Sequence, residues 1–260
     1  MGINDLRKSF KEKIRTRQKV FGAWTSIAHP QISEIFCHSH VDFVGIDDEH
    51  TSMTLREISE IISSCHVHQT ICLPRIGQHN EEDVKRRLDL GADGIIAPQI
   101  SSIEQVEKFA SWMQYPPLGK RSVGVNRAHG YGFEFESYCQ TWNDSLVFIA
   151  QLETKEAIDA CETILSHPFV DAVMLGPYDL SGSYGILGQI EHEWIMQAEE
   201  KINFFAHKHQ KGCGTQIINI TPEEVMKKRE KGYSFTVLSS DIFILWKWGE
   251  KVRSLVQEMR

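Results

Sequence analysis

The chain has 260 residues, 41% of them hydrophobic and 24% charged, with a formal net charge of −7 at pH 7. That length suits one large domain, and single-domain α/β barrels commonly reach it. The acidic balance excludes nucleic acid and an anionic membrane as partners. No apolar stretch approaches the ~20 residues that span a bilayer, and six cysteines with no CxxC pair exclude a zinc knuckle and a disulfide framework.

The chain begins with apolar and charged positions at helical spacing, which predict an N-terminal helix over 3–18. This segment is charged and has no apolar centre, so it is not a secretory signal, and Leu6 stands where a myristoylation motif needs Ser or Thr. A cytoplasmic protein is expected. Strand and helix signals then alternate. The strand candidates are FGAWTS (21–26), DFVGID (42–47), TICLPRI (70–76), GIIAPQI (94–100), VFIAQLE (147–153), AVMLGP (172–177), CGTQI (213–217) and FTVLSS (235–240). Segments of helical period follow most of them, several with start and stop signals. Thr221-Pro222 opens one with Glu223 and Glu224 in its first turn, and Gly232 closes it.

Eight strands alternating with helices predict a single-domain α/β protein, a (β/α)₈ TIM barrel over residues 1–260. The structural alternative is a doubly wound open sheet. It normally shows fewer strands, and no glycine-rich loop follows the first strand here. The longest departure, residues 115–146, is rich in glycine and aromatics. It reads as a βα excursion over the barrel mouth, a lid or a partner contact.

Barrel active sites lie at strand C-termini. The polar residues falling there are Asp47, Glu49 and His50, then Arg75, Gln99, Gln151 and Glu153, Asp179, Gln216, and Ser239, Ser240 and Asp241. Glu153 and Asp179 each end an apolar run, a poor place for an unpaired charge. Two carboxylates at equivalent strand ends suggest a shared site held by a divalent metal. Arg75 offers a planar fork for a bound carboxylate or an enolate; a structural ion pair is the alternative. His50 stands beside Asp47 and Glu49, which would orient its imidazole and raise its basicity. Asp47 and Asp241 could instead be helix N-caps. No strand candidate contains a lysine for a Schiff base, so a metal is the expected electrophile.

Several segments together resemble the metal-dependent class II pyruvate aldolases of the HpcH/HpaI type. They are FVGIDDEH (43–50), PRI around Arg75, GADGIIAPQI (91–100), YPPLGKRSVG (115–124), QLETKEAI (151–158) and GPYDLSGSYG (176–185). The resemblance implies a barrel using Mg²⁺, Mn²⁺ or Co²⁺, with Glu153 and Asp179 as metal ligands. It implies that Arg75 steadies a pyruvate enolate and that His50 with Asp47 forms an acid/base dyad. Gln151 would lie by the bound substrate, and the backbone N–H groups of Tyr178 and Asp179 would hold the pyruvate carboxylate. The implied reaction is retro-aldol cleavage of a 4-hydroxy-2-oxo acid to pyruvate and an aldehyde. The alternative is another reaction of the same enolate, such as oxaloacetate decarboxylation or a biosynthetic condensation. The resemblance also implies a homotrimer or homohexamer with the C-terminal helix exchanged between subunits, and Phe243, Ile244, Leu245, Trp246 and Trp248 crowd that helix. Asp48, Ser122 and Tyr178 depart from the family pattern, and are expected to affect the aldehyde pocket.

Overall fold

In a computed structural model, which describes residues 2–260, eight parallel strands close into one barrel in chain order. They are β1 (Val20–Thr25), β2 (Phe43–Asp47), β3 (Ile71–Arg75), β4 (Gly94–Ala97), β5 (Val147–Leu152), β6 (Ala172–Leu175), β7 (Gly212–Ile217) and β8 (Phe235–Ser240). The expected (β/α)₈ fold is the observed one. Several strands stop one to three residues short of their apolar runs, because the chain turns out of the ladder there. Gln99, for example, adopts φ 51° just past β4.

The helices are α1 (Ile3–Arg15), α2 (Pro30–His38), α3 (Leu55–Val67), α4 (Glu81–Asp89), α5 (Ile103–Met113), α6 (Phe135–Ser145), α7 (Lys155–Asp159), α8 (Cys161–Ser166), α9 (Pro177–Ser183), α10 (Glu193–Lys208), α11 (Pro222–Glu230) and α12 (Asp241–Glu258). Sequence periodicity passes over α2 and α6. Side-chain caps start many of them: Thr54 and Ser102 form capping boxes, and Asn80, Thr154, Thr221 and Ser240 each accept a backbone N–H. Among the described residues, no helix is long and apolar enough to cross a membrane.

Two apolar layers hold the barrel. Inside it lie Val20, Trp24, Phe43, Leu73, Ile96, Ile149, Met174 and Phe235, closed at the N-terminal end by Phe10 and Ile14 of α1. The large rings fit because glycines face them. A Cβ on Gly22 would lie 2.3 Å from the Phe43 ring, and one on Gly214 would lie 1.9 Å from the Phe235 ring. Outside, the helices pack their apolar stripes on the strands, with Ile58, Ile62, Val106, Phe109, Trp142 and Ile202 fully or almost fully buried.

The 115–146 segment does not cover the mouth. It follows α5, so it starts at the N-terminal end of the barrel, and α6 leads straight into β5 from that same end. It packs there on α1 and α4. Arg7 stacks over Tyr138 and Trp142, Lys11 donates to Leu146 O at 2.7 Å, and Arg127 donates to Leu90 O at 3.0 Å. Arg121 is buried against Tyr115, Tyr138 and Trp142 and binds Asp89 at 3.0 Å. The segment is an αβ connection, and its aromatics are a second small core.

Candidate active site

The mouth is built from the C-terminal ends of β1 to β6. Asp47 and Arg75 are direct partners in the β2–β3 register, so both side chains stand on one face. Arg75 Nη2 donates to Asp47 Oδ1 at 2.8 Å, and its guanidinium stacks 4.9 Å from the centre of the Trp24 ring. Trp24 reaches this place because Gly45 is its neighbour on β2; a Cβ there would lie 2.5 Å from the indole. Asp47 is not a helix N-cap, since Thr54 caps α3. It accepts instead from Arg75, from the backbone N–H of His50 at 3.2 Å and from the Ser26 hydroxyl at 3.4 Å.

The His50 imidazole is exposed and sits against Glu49, with Nε2 3.5 Å from Oε2. Glu49 Oε2 also lies 3.2 Å from Arg75 Nε. The imidazole's carboxylate neighbour is therefore Glu49, while Asp47 meets the backbone of His50. Glu49 thus joins Arg75 to His50, a link that the sequence suggests only by adjacency. Burial pushes the Glu49 carboxyl up, against the pull of Arg75 and His50 and with the push of Asp47 and Asp179.

On the other side, β5 and β6 pair Leu152 with Leu175. That register sets Glu153 opposite Gly176, three residues before Asp179. A Cβ on Gly176 would lie 2.4 Å from Glu153 Oε2, so glycine leaves the carboxylate its room. Glu153 is 2% exposed. Oε1 accepts from the backbone N–H of Gln99 at 2.7 Å, and Oε2 accepts from the Gln151 amide. Burial pushes the Glu153 carboxyl up to about 7; the two hydrogen bonds oppose this, and Asp179 and Glu49 add to it. Asp179 is exposed in the first turn of α9, after Tyr178, which is 49% exposed. The first intrahelical backbone bond of α9 is Leu180 N–H to Gly176 O, so the N–H groups of Tyr178 and Asp179 precede it.

Glu49, Glu153 and Asp179 face one another across the mouth, with Asp47 nearby, and Arg75 is the guanidinium among them. The carboxylates outnumber that one guanidinium. Gln151 Oε1 is buried and has no hydrogen-bond partner. An oxygen-rich group with a buried carboxylate, an orphaned amide oxygen and more carboxylates than its one guanidinium can offset fits a divalent metal ion.

Other residues at strand ends do different work. Asp241 accepts from the backbone N–H groups of Ser26 and Ile27 and from the Thr25 hydroxyl, so it ties β8 to the loop after β1; Ser240 caps α12. Asp48 points outward into an ion pair with Arg87, which also binds Asp83 at 2.8 Å. It adds no free charge beside His50. Ser122 is exposed on the connection at the N-terminal end of the barrel. Gln216 is half-buried near the end of β7, and Ser239 is buried with its hydroxyl unpaired. None of the eight strands contains a lysine, and Lys155, three residues past the end of β5, is exposed at the start of α7. Desolvation lowers Lys211 to about 8, but it precedes β7 at the N-terminal end and donates to Val170 O at 2.6 Å.

Residues 20–246 match the family model described as HpcH/HpaI aldolase/citrate lyase. The chain is 30% identical over 249 residues to a hydroxypyruvate/pyruvate aldolase of Roseobacter denitrificans, covering 94% of this chain and 95% of that one. It is 34% identical over 181 residues to a 4-hydroxy-2-oxovalerate aldolase of Novosphingobium aromaticivorans, covering 69% of each. Its fold superposes on the HpcH/HpaI aldolase of Desulfitobacterium hafniense with a TM-score of 0.86 and 29% identity, covering 95% and 96% of the two chains. The chain belongs to the HpcH/HpaI aldolase/citrate lyase family.

Proposed function

We propose that this protein is a carbon–carbon lyase that cleaves a 4-hydroxy-2-oxo acid to pyruvate and an aldehyde, reversibly, at the mouth of the barrel. The observation that carries this reading is the grouping of Glu153, Asp179 and Glu49, with Arg75 and His50 against Glu49. The aldolase relatives support the same chemistry.

Glu153 and Asp179 would hold the metal, with Gln151 steadying Glu153 through its amide N–H. An all-oxygen donor set suits Mg²⁺, Mn²⁺ or Co²⁺. When bound, such an ion supplies Lewis-acid stabilisation of the charge that develops on the 2-oxo oxygen. The substrate carboxylate meets the free N–H groups of Tyr178 and Asp179. Arg75, braced by Asp47 and stacked on Trp24, presents its guanidinium to the developing enolate. His50 accepts the C4 hydroxyl proton through water, and the neighbouring Glu49 and the Asp47–backbone bond hold it in place. The C3–C4 bond breaks, the aldehyde leaves, and the pyruvate enolate is protonated at C3.

The exposed apolar row of α12 supports a homotrimer or homohexamer with that helix exchanged between subunits. Asp241 is its only buried residue, while Ile242, Leu245, Trp246 and Trp248 are each about half exposed or more. The test of the reaction is a pyruvate-release assay on 4-hydroxy-2-oxo acids with Mn²⁺. EDTA should abolish turnover, and borohydride with pyruvate should trap no adduct. A borohydride-trapped lysine would overturn the metal-dependent reading.

A further inference from the structure

At the opposite end of the barrel, outside the strands, three side chains converge that the reaction does not use. Glu34 and His38 lie one turn apart on α2 and share a face. His68 is the C-cap residue of α3, the helix beside it. His68 Nε2 is 3.5 Å from Glu34 Oε1, and the rings of His38 and His68 stand edge to face with centroids 4.7 Å apart. Donor atoms of all three lie within 4.8 Å of one another; among the described residues, no other group of three His, Cys, Asp or Glu side chains does so.

We propose that Glu34, His38 and His68 form a transition-metal site that braces α2 against α3. The donor set is two imidazoles and one carboxylate, which suits Zn²⁺, Co²⁺ or Ni²⁺ and is a poor match for Mg²⁺. It therefore differs in kind from the all-oxygen mouth. Tetrahedral ligands about 2.1 Å from an ion stand roughly 3.4 Å apart, so the Glu34–His68 pair already has the right spacing. Only His38 must swing closer, and it is exposed and free to turn. Two features favour a cation here. His38 is the last residue of α2 and His68 follows the last residue of α3, so both helices direct their negative C-terminal ends toward the site. Among the described residues, no lysine or arginine lies within 4.0 Å of Glu34 to neutralise it. A water would complete the tetrahedron. The ion's role would be to link two helices that carry the loops before β2 and β3, far from the reacting groups at the mouth.

The test titrates Zn²⁺ into the full-length chain by calorimetry and follows the thermal midpoint. Wild type should bind one more equivalent per chain than His38→Ala or His68→Gln. Zn²⁺ affinity at this site should fall about 100-fold or more in each variant, since a direct ligand contributes at least what its outer partners do. Zn²⁺ should raise the thermal midpoint of wild type more than that of either variant. Mn²⁺-dependent aldolase turnover should be unchanged in His38→Ala. Glu153→Gln should keep the extra Zn²⁺ equivalent whether or not the mouth is the aldolase centre, which separates the two sites. Equal Zn²⁺ stoichiometry and equal midpoint shift in wild type, His38→Ala and Glu34→Gln would overturn the proposal.

Discussion

The backbone N–H of Gln99 donates to Glu153 Oε1 at 2.7 Å, and Gln99 leaves β4 in the left-handed region, φ 51°, to do so. A residue outside glycine, asparagine and aspartate adopts that conformation only when its surroundings hold it. The end of β4 is thus bent to solvate a carboxylate on β5. The donors are neutral, so they lower the cost of burying Glu153 without cancelling its charge.

That balance sets a pH dependence. Glu153 titrates near 4.5 when unfolded and at about 7 when folded. Between these values the folded protein holds a proton that the unfolded chain has released. Stability of the metal-free protein should therefore fall as pH rises from about 4.5 to about 7, by on the order of 3 kcal/mol. Thermal melts with EDTA across that window should show the fall in wild type and its loss in Glu153→Gln. Added Mn²⁺ should flatten the wild-type profile, because the ion binds the ionised carboxylate.

Removing either proposed ligand should remove the metal. Glu153→Gln and Asp179→Asn should each weaken Mn²⁺ binding by about 100-fold or more and reduce turnover in step. Calorimetry with Mn²⁺ is the direct measurement, and normal affinity in both variants would contradict the assignment.

Arg75 works through its planar fork. Nη2 holds Asp47, the guanidinium stacks on Trp24, and Nε lies 3.2 Å from Glu49 Oε2. Lysine keeps the charge and loses the geometry. Arg75→Lys should lower kcat/KM by roughly 100-fold, in the range seen when one oriented donor is removed from a developing oxyanion. Steady-state kinetics should place most of the loss in kcat, with Mn²⁺ affinity little changed.

In the proposed reaction His50 moves the proton of the C4 hydroxyl, a step that pyruvate enolisation does not contain. His50→Ala should cut aldol cleavage by about 100-fold or more while exchange of the pyruvate methyl protons with D₂O falls much less. NMR of pyruvate exchange beside a coupled cleavage assay makes the comparison. Equal losses would remove His50 from the proton-transfer role.

Asp48 tests the opposite kind of claim. Its pair with Arg87 joins the end of β2 to α4, outside the mouth. Arg87→Met should leave Asp48 buried and uncompensated, costing about 3 kcal/mol, while Arg87→Met with Asp48→Asn recovers much of the loss. Chemical denaturation of the two variants, with kcat/KM within a few-fold of wild type in both, is the expected result.

Local pattern made most of the barrel legible. Each strand is a short apolar run with a turn at its end, and the helices between carry their own caps, so both elements declare themselves within about ten residues. The carboxylate at 153 is visible for the same reason: a charge that ends a buried strand has few structural uses. Asp179 instead stands exposed in the first turn of α9, four residues past β6. Chain direction alone decided where residues 115–146 go. A segment after β4 that begins with a helix returns to the N-terminal end before it can extend further, and α5 had already made that return.

What the sequence by itself determined about this protein is the alternation of strand and helix and the polar residues at strand ends, because both depend on neighbours in the chain. Only the tertiary structure decided which of those residues meet. Trp24 lies under Arg75 because Gly45 leaves space on the adjacent strand. Asp48 turns outward because Arg87, 39 residues away, is there to neutralise it. Glu49 links Arg75 to His50, and His68 meets Glu34 and His38 from another helix. Side-chain partners of this kind are fixed by barrel closure and helix packing, which bring distant segments within bonding distance and leave no periodic trace in the chain.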